Sequence, residues 1–199
     1  MCCNGFRDDL YNRAPTFYAT RLADSTLMME LLRLYGQIAL LRRGPQDVPA
    51  SPLLLLFTVA AYFGVNSLTS ALLPPMPGPW MMHLLVEVLF MLAFYAVLLR
   101  QQKKSERFLQ TATALFGYQI VLSPLIITLS WLVQRFQNEP TWFLPVLLLA
   151  LVLAVWLIAA GAHILKSALE WSMQASVSLF IAQILAGQLL IFALFNPQV

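Results

Sequence analysis

Residues 141–162 read TWFLPVLLLALVLAVWLIAAGA, an apolar run without a charged side chain. A helix needs about 20 such residues to cross about 30 Å of hydrocarbon, and a helix satisfies its own backbone polar groups in lipid. With this run taken as Thr141–Ala162, four further stretches of similar length and character follow the same rule: Pro52–Leu73, Trp80–Leu99, Phe108–Val133 and Gln174–Phe195. The reading is an all-α polytopic membrane helix bundle, with five transmembrane helices preceded by an amphipathic interfacial helix.

Composition supports the same class. Hydrophobic residues make up 60% of the 199 and charged residues 11%, against about 45–50% and about 25% in soluble domains. The apolar runs are separated by only about six to twelve residues. The expected organisation is therefore a cytosolic segment 1–51, a membrane domain 52–195 and a short tail 196–199.

Basic residues set the orientation. Of the twelve Lys and Arg, six lie in the N-terminal segment (Arg7, Arg13, Arg21, Arg33, Arg42, Arg43), four between the second and third runs (Arg100, Lys103, Lys104, Arg107) and Lys166 between the fourth and fifth. Arg135 alone falls on the other side. Cytoplasmic loops carry such an excess, so the N-terminus is expected inside and the C-terminus outside. Arg42, Arg43, Lys103, Lys104 and Arg107 are expected to contact lipid headgroups, each worth about 1 kcal/mol near an anionic surface. The basic balance thus reads as topology, and nucleic acid is not an expected partner. Compact loops without trafficking tails point to a bacterial cytoplasmic membrane.

Cys2 and Cys3 are the only cysteines; adjacent at a chain end, they build neither a disulfide framework nor a four-ligand metal site, though in a eukaryotic host they would be candidates for acylation. Residues 1–27 read as a loose tail, and Met28 and Met29 at the start of the first periodic segment leave open whether that tail is native. No cleavable signal peptide is expected, because the first apolar run begins only at residue 52.

Between Met28 and Arg43 the periodicity is helical. Met28, Leu31, Leu34, Tyr35, Ile38 and Leu41 share one face, and Glu30, Arg33 and Gln37 another. A helix over 28–43 either lies in the interface or packs against the bundle. Gly44-Pro45 would stop it, and Ser51-Pro52 supplies an N-cap and a first-turn proline for the first span. The connection Pro74–Pro79 is a tight turn that makes spans one and two an antiparallel hairpin. Trp80, Trp131 and Trp142 fall at outer boundaries and Trp171 at an inner one, as an aromatic belt requires. Pro124 should free the Ile120 carbonyl, with Ser123 or Thr128 available to re-satisfy that region. In span five Ser178, Ala182 and Ala186 form a small-residue stripe, read as a helix-packing face; Ala150 and Ala154 give span four a shorter one, so these two spans should pack together.

Glu87 is the one carboxylate well inside a span, and such a residue is a candidate functional site. His83 lies one turn earlier on the same face, so a His–Glu pair could relay a proton. The competing structural reading is a protonated or His83-paired Glu87 that hydrogen-bonds Asn66 of span one or Gln183 of span five. Met76, Met81, Met82 and His83 carry soft-metal donors, but methionine is common in apolar packing, and no metal or other cofactor is expected. His163 and Glu170 read as solvated residues beside an inner loop. No phosphate loop, nucleophile elbow or paired metal-ligand helix is present, so no catalytic residue is assigned and the chain is not expected to be an enzyme.

Leu34, Tyr35 and Gly36 before the first span, and Gly117, Tyr118 and Pro124 in the third, resemble elements of the Yip family of Rab-interacting membrane proteins and its bacterial relatives. That family has Asp-Leu-Tyr-Gly-Pro before the first span and Gly-Tyr followed by a proline in the third. Here Arg33 and Gln37 stand at the outer positions of the first element, and the second has a longer spacing. The resemblance implies a non-catalytic membrane protein of protein sorting or membrane organisation; no Rab-binding residue carries over. The leading expectation is a protein acting through helix packing, the lipid bilayer, or a partner that is another membrane protein or a second copy. The alternative is a small transporter or proton-linked permease component using Glu87 and His83. A water-accessible cavity at Glu87 favours the alternative, and a dry, packed Glu87 the first reading.

Overall fold

The computed structural model of the protein describes residues 25–72 and 79–195. Cys2, Cys3, the tail ahead of residue 25, most of the proline-rich connection and residues 196–199 lie outside the described residues. The elements are α1 (Ser25–Ala39), a 3-10 turn (Pro45–Asp47), α2 (Pro52–Leu72), α3 (Trp80–Gln101), a second 3-10 turn (Ser105–Arg107), α4 (Phe108–Phe136), α5 (Pro140–Leu169) and α6 (Met173–Phe195). Among the described residues no strand occurs. Helices α2 to α6 are each long and apolar enough to cross a membrane, and the chain is an all-α integral membrane protein.

The starts of these helices follow the local chemistry. Ser51 Oγ accepts the Leu54 N–H at 3.4 Å ahead of Pro52, the side-chain cap that frees no backbone donor to lipid. At Pro124, whose ring denies Ile120 its normal partner, the Ser123 hydroxyl donates to the Ile120 carbonyl at 2.6 Å, and Thr128 donates to Pro124 at 2.7 Å.

The helix ends differ from expectation. Helix α1 stops at Ala39 rather than Arg43: Leu41 takes a left-handed φ of 58°, with Arg42 N–H donating to Gln37 and Leu41 N–H to Ile38, both at 2.9 Å. This is the paired hydrogen-bond pattern of a Schellman termination, here without its usual glycine. Lys103, at φ 56°, ends α3 the same way, through Lys104 N–H to Leu99 and Lys103 N–H to Arg100. Helix α5 continues past Ala162 to Leu169, where Glu170 turns left-handed at φ 60°. At 30 residues it is about 45 Å long, longer than the hydrocarbon layer; His163 and Lys166 ended the apolar run but not the helix.

Helix α4 is the hub, packed against α1, α2, α3 and α5. Residues Thr111 to Tyr118 are all buried: Thr111, Ala112, Thr113, Ala114 and Gly117 are small enough for neighbouring backbones to approach, while Leu115, Phe116 and Tyr118 fill the core around them. Although sequential, α2 and α3 touch only lightly; α2 lies mainly on α4, and α3 leans on α6. Helix α1 belongs to the bundle. Its Tyr35 and Ile38 are buried, the Tyr35 hydroxyl donates to Thr58 Oγ1 at 3.1 Å while Thr58 donates to Leu54, and Trp156 Nε1–H donates to the Ala39 carbonyl at 2.8 Å. Met28, Met29 and Leu32 stay exposed, so α1 docks on the bundle with an apolar edge left outward.

Two glycines set how closely helices meet. A Cβ at Gly117 would stand 2.5 Å from the Tyr35 ring, and one at Gly161 would collide with the Phe180 ring. Since both rings are buried, Gly117→Ala and Gly161→Ala are each expected to destabilise the protein by about 1–3 kcal/mol through overpacking. Gly64, with nothing within 4 Å of a built Cβ, is the control: Gly64→Ala should be neutral or stabilise by about 0.4–1 kcal/mol. Melting temperatures of the three variants in one detergent check the ordering.

Candidate intramembrane binding site

Glu87 lies seven residues into α3, about 10 Å along its axis from Trp80. It lies three residues after buried Leu84 and four before buried Met91, and that register puts the carboxyl on the helix face turned to the bundle. Beside it is a cavity of about 210 Å³ between α3, α4, α5 and α6, whose polar lining is Glu87, Tyr118, Gln119, Gln183 and Gln188. Phe90, Met91 and Phe180 form part of its apolar wall.

The partners of Glu87 differ from those expected. From α2 it is Tyr62 that meets the Glu87 carboxyl, and the Tyr62 ring is set by an edge-on contact with Phe116 of α4 at 5.2 Å. Asn66 instead donates to the Tyr62 carbonyl of its own helix at 2.9 Å. Gln183 is buried, and its Oε1 accepts the Tyr95 hydroxyl at 2.9 Å, so Gln183 reaches the cavity without being the carboxyl's fixed partner.

His83 does not complete a pair with Glu87. Its ring packs edge-on against Phe195 of α6, centroids 4.1 Å apart, and its buried Nε2 has no hydrogen-bond partner among the described residues. Although i and i+4 share a helix face, the flanking aromatics pull the two side chains to different neighbours. Nor do three His, Cys, Asp or Glu side chains converge on a metal position among the described residues.

At the basic end of the bundle, two residues expected to touch lipid headgroups are engaged inside the protein. Glu170 pairs with Lys104 Nζ at 2.8 Å and with Arg107 Nη1 at 2.8 Å. Lys104 also donates to the Leu169 carbonyl at 2.8 Å, and Arg107 to the Ala168 carbonyl at 3.2 Å. Those carbonyls are orphans of the α5 C-terminus, where the helix dipole favours cations; the two side chains cap α5 while remaining partly exposed. Glu170 is therefore an ion-pair acceptor rather than a free solvated residue, and His163 meets the Arg43 main chain. Arg42, Arg43 and Lys103 are exposed.

The stripe Ser178, Ala182, Ala186 faces outward in the structure, all three residues exposed. Helix α6 packs on α5, as expected, but through the opposite face, with Ser176, Phe180 and Gln183 buried. The ring of Phe180 over Gly161 decides it: one large side chain seated against a glycine brings the helices together where a row of alanines was expected to. Sequence reading did not find Tyr62, Tyr95, Gln119 or Gln188. The signal for the glutamines was there, since a polar residue inside a span demands a partner or a cavity; the tyrosines were indistinguishable from packing residues.

Comparison with protein-family models, with curated proteins and with solved structures gives no match.

Hydrogen bonds from Lys104 and Arg107, and then their charges, hold the Glu170 carboxyl below its ordinary value. A carboxyl whose folded value is depressed contributes stability that is complete above its unfolded value and lost as pH falls through the folded one. The wild-type melting temperature should accordingly fall as pH drops below the ordinary carboxylate range, whereas Glu170→Gln should show a flatter acid limb. Because Glu170 is exposed, high salt should shrink the difference. Melting curves across pH at low and high salt test this, and parallel acid limbs would remove the clamp from the account.

Proposed function

We propose that this integral membrane protein is a non-enzymatic small transporter, or a proton-linked permease component, working through the cavity beside Glu87. The observation that supports this is the cavity itself: the half-buried Glu87 and Gln119, the buried Gln183 and the exposed Gln188 line one hollow between helices that otherwise pack apolar side chains. Polar groups at membrane depth are costly and are characteristic of substrate and ion paths, and a site formed between helices of a bundle suits a small solute. His83 takes no part in this reading, being held against Phe195. The excess of basic residues at one end supports an inside N-terminus and an outside C-terminus, in a bacterial cytoplasmic membrane.

A second reading, a Yip-like membrane-organising protein acting through a partner helix or a second copy, draws support from the outward Ser178, Ala182 and Ala186. Small residues on a lipid-facing surface let another helix approach closely. Under this reading Ala182→Leu weakens assembly with the partner while leaving the isolated chain's melting temperature unchanged.

Proteoliposomes containing a trapped pH dye separate the two. Glu87→Gln keeps the shape and most hydrogen bonds, so its stability should stay within about 1 kcal/mol of wild type, while solute-coupled proton movement is lost. Glu87→Leu should lose stability as well, because it strands the Tyr62 hydroxyl. His83→Ala should retain the movement. Undiminished flux in a folded Glu87→Gln protein would overturn the transport reading and leave the organising one.

A further inference from the structure

We propose that the cavity takes a small organic cation, a short alkylammonium, with Glu87 as its counter-charge. The inference rests on the cavity being the working site and adds the chemical class of what enters it. Glu87 is the only charged side chain among the lining residues. An anion would meet a carboxyl with no Lys, Arg or His beside it, whereas a cation gives the carboxylate the partner that a buried charge requires.

The remaining lining distinguishes an alkylammonium from a bare metal ion. A hard cation such as calcium seeks 6–8 oxygen ligands. Here the supply is short: the Gln183 oxygen is already taken by the Tyr95 hydroxyl at 2.9 Å, so that amide offers the cavity its N–H. The carboxylate, the amide oxygens of Gln119 and Gln188 and the Tyr118 hydroxyl are what is left. These five oxygens are enough for the three donors of an ammonium group and fewer than the roughly 6–8 that calcium seeks. Phe90 and Phe180 in the wall provide apolar surface for the alkyl part. The volume, about 210 Å³, falls below the roughly 300–1,000 Å³ of sites for drug-sized ligands, which limits the occupant to a few heavy atoms.

Equilibrium binding of radiolabelled ethylammonium to the full chain in lipid nanodiscs tests the assignment, with unlabelled urea, acetate and sodium as competitors. Saturable ethylammonium binding is expected, weakened about tenfold or more in Glu87→Gln and unaffected by urea or acetate. Glu87→Asp serves where the glutamine variant fails to fold: it keeps the charge but withdraws it from the cavity, and intermediate affinity is expected. Glu87-dependent binding of labelled urea without ethylammonium binding would overturn the cation assignment while leaving the cavity as the working site. Displacement of ethylammonium by sodium at equal concentration would overturn the alkylammonium in favour of a metal ion. Should no solute bind and Glu87→Gln leave proton movement intact, both this inference and the transport reading fall.

Discussion

Everything in this bundle is arranged around the enclosure of one half-helix. Residues 111–118 of α4 are buried on all sides, small side chains at Thr111, Ala112, Thr113, Ala114 and Gly117 letting neighbours close in and Leu115, Phe116 and Tyr118 filling the space between. Thr111 and Thr113 add hydroxyls, and that of Thr111 returns to the Arg107 carbonyl at 2.8 Å, keeping a buried donor satisfied within its own helix. Gly117 admits the Tyr35 ring, which is what seats α1 against the spans. The docking of the first helix is thus a consequence of a missing methyl group eighty residues along the chain.

From that centre the basic end is fastened by polar contacts that lipid alone would not supply. Lys104 and Arg107 run from the α3–α4 turn to the last carbonyls of α5, and Glu170 completes the charge balance. Gln110 donates to the Val48 carbonyl at 3.0 Å, tying the segment between α1 and α2 to the start of α4. The Lys104 and Arg107 contacts combine a positively charged side chain with a helix C-terminus, where the macrodipole favours it. They join turns distant in sequence, so the end of the bundle that gathers most of the basic residues is also held by specific pairing.

The cavity arises where this close packing ends. Helix α6 is brought against α5 at Gly161 and Phe180, and further along its length Gln183, Gly187 and Gln188 face α3 and α4 across a gap. Tyrosines from α2 and α3 hold the polar groups at its edge, Tyr62 at Glu87 and Tyr95 at Gln183. A rigid half and a hollow half within one set of helices place a carboxyl where packing does not exclude water.

The sequence by itself determined the class, the number of spans and where most of them begin, because the cost of unsatisfied backbone in hydrocarbon leaves helices of a fixed minimum length as the solution. It also located Ser51, Pro124 with Ser123, and Glu87 as a carboxyl within a span, since caps, prolines and intramembrane carboxyls are legible locally. The helix ends at Ala39 and Leu169 were hidden because Leu41 and Glu170 adopt a left-handed conformation without being glycine, at a cost of about 1–2 kcal/mol per residue; Glu170 is held there by its ion pairs. Which side chains meet was likewise a tertiary decision. Periodicity says that Glu87 and His83 share a face, but only the neighbouring helices settled that one meets Tyr62 and the other Phe195. Small residues can permit close approach on either face of α6, and the match of Phe180 to Gly161 selected the face that packs. That Lys104 and Arg107 cap α5 followed from the position of its C-terminus, which composition does not reveal. In a bilayer, apolar surface is content against lipid or protein alike, so hydropathy marks the helices but the fit of particular side chains decides their partners.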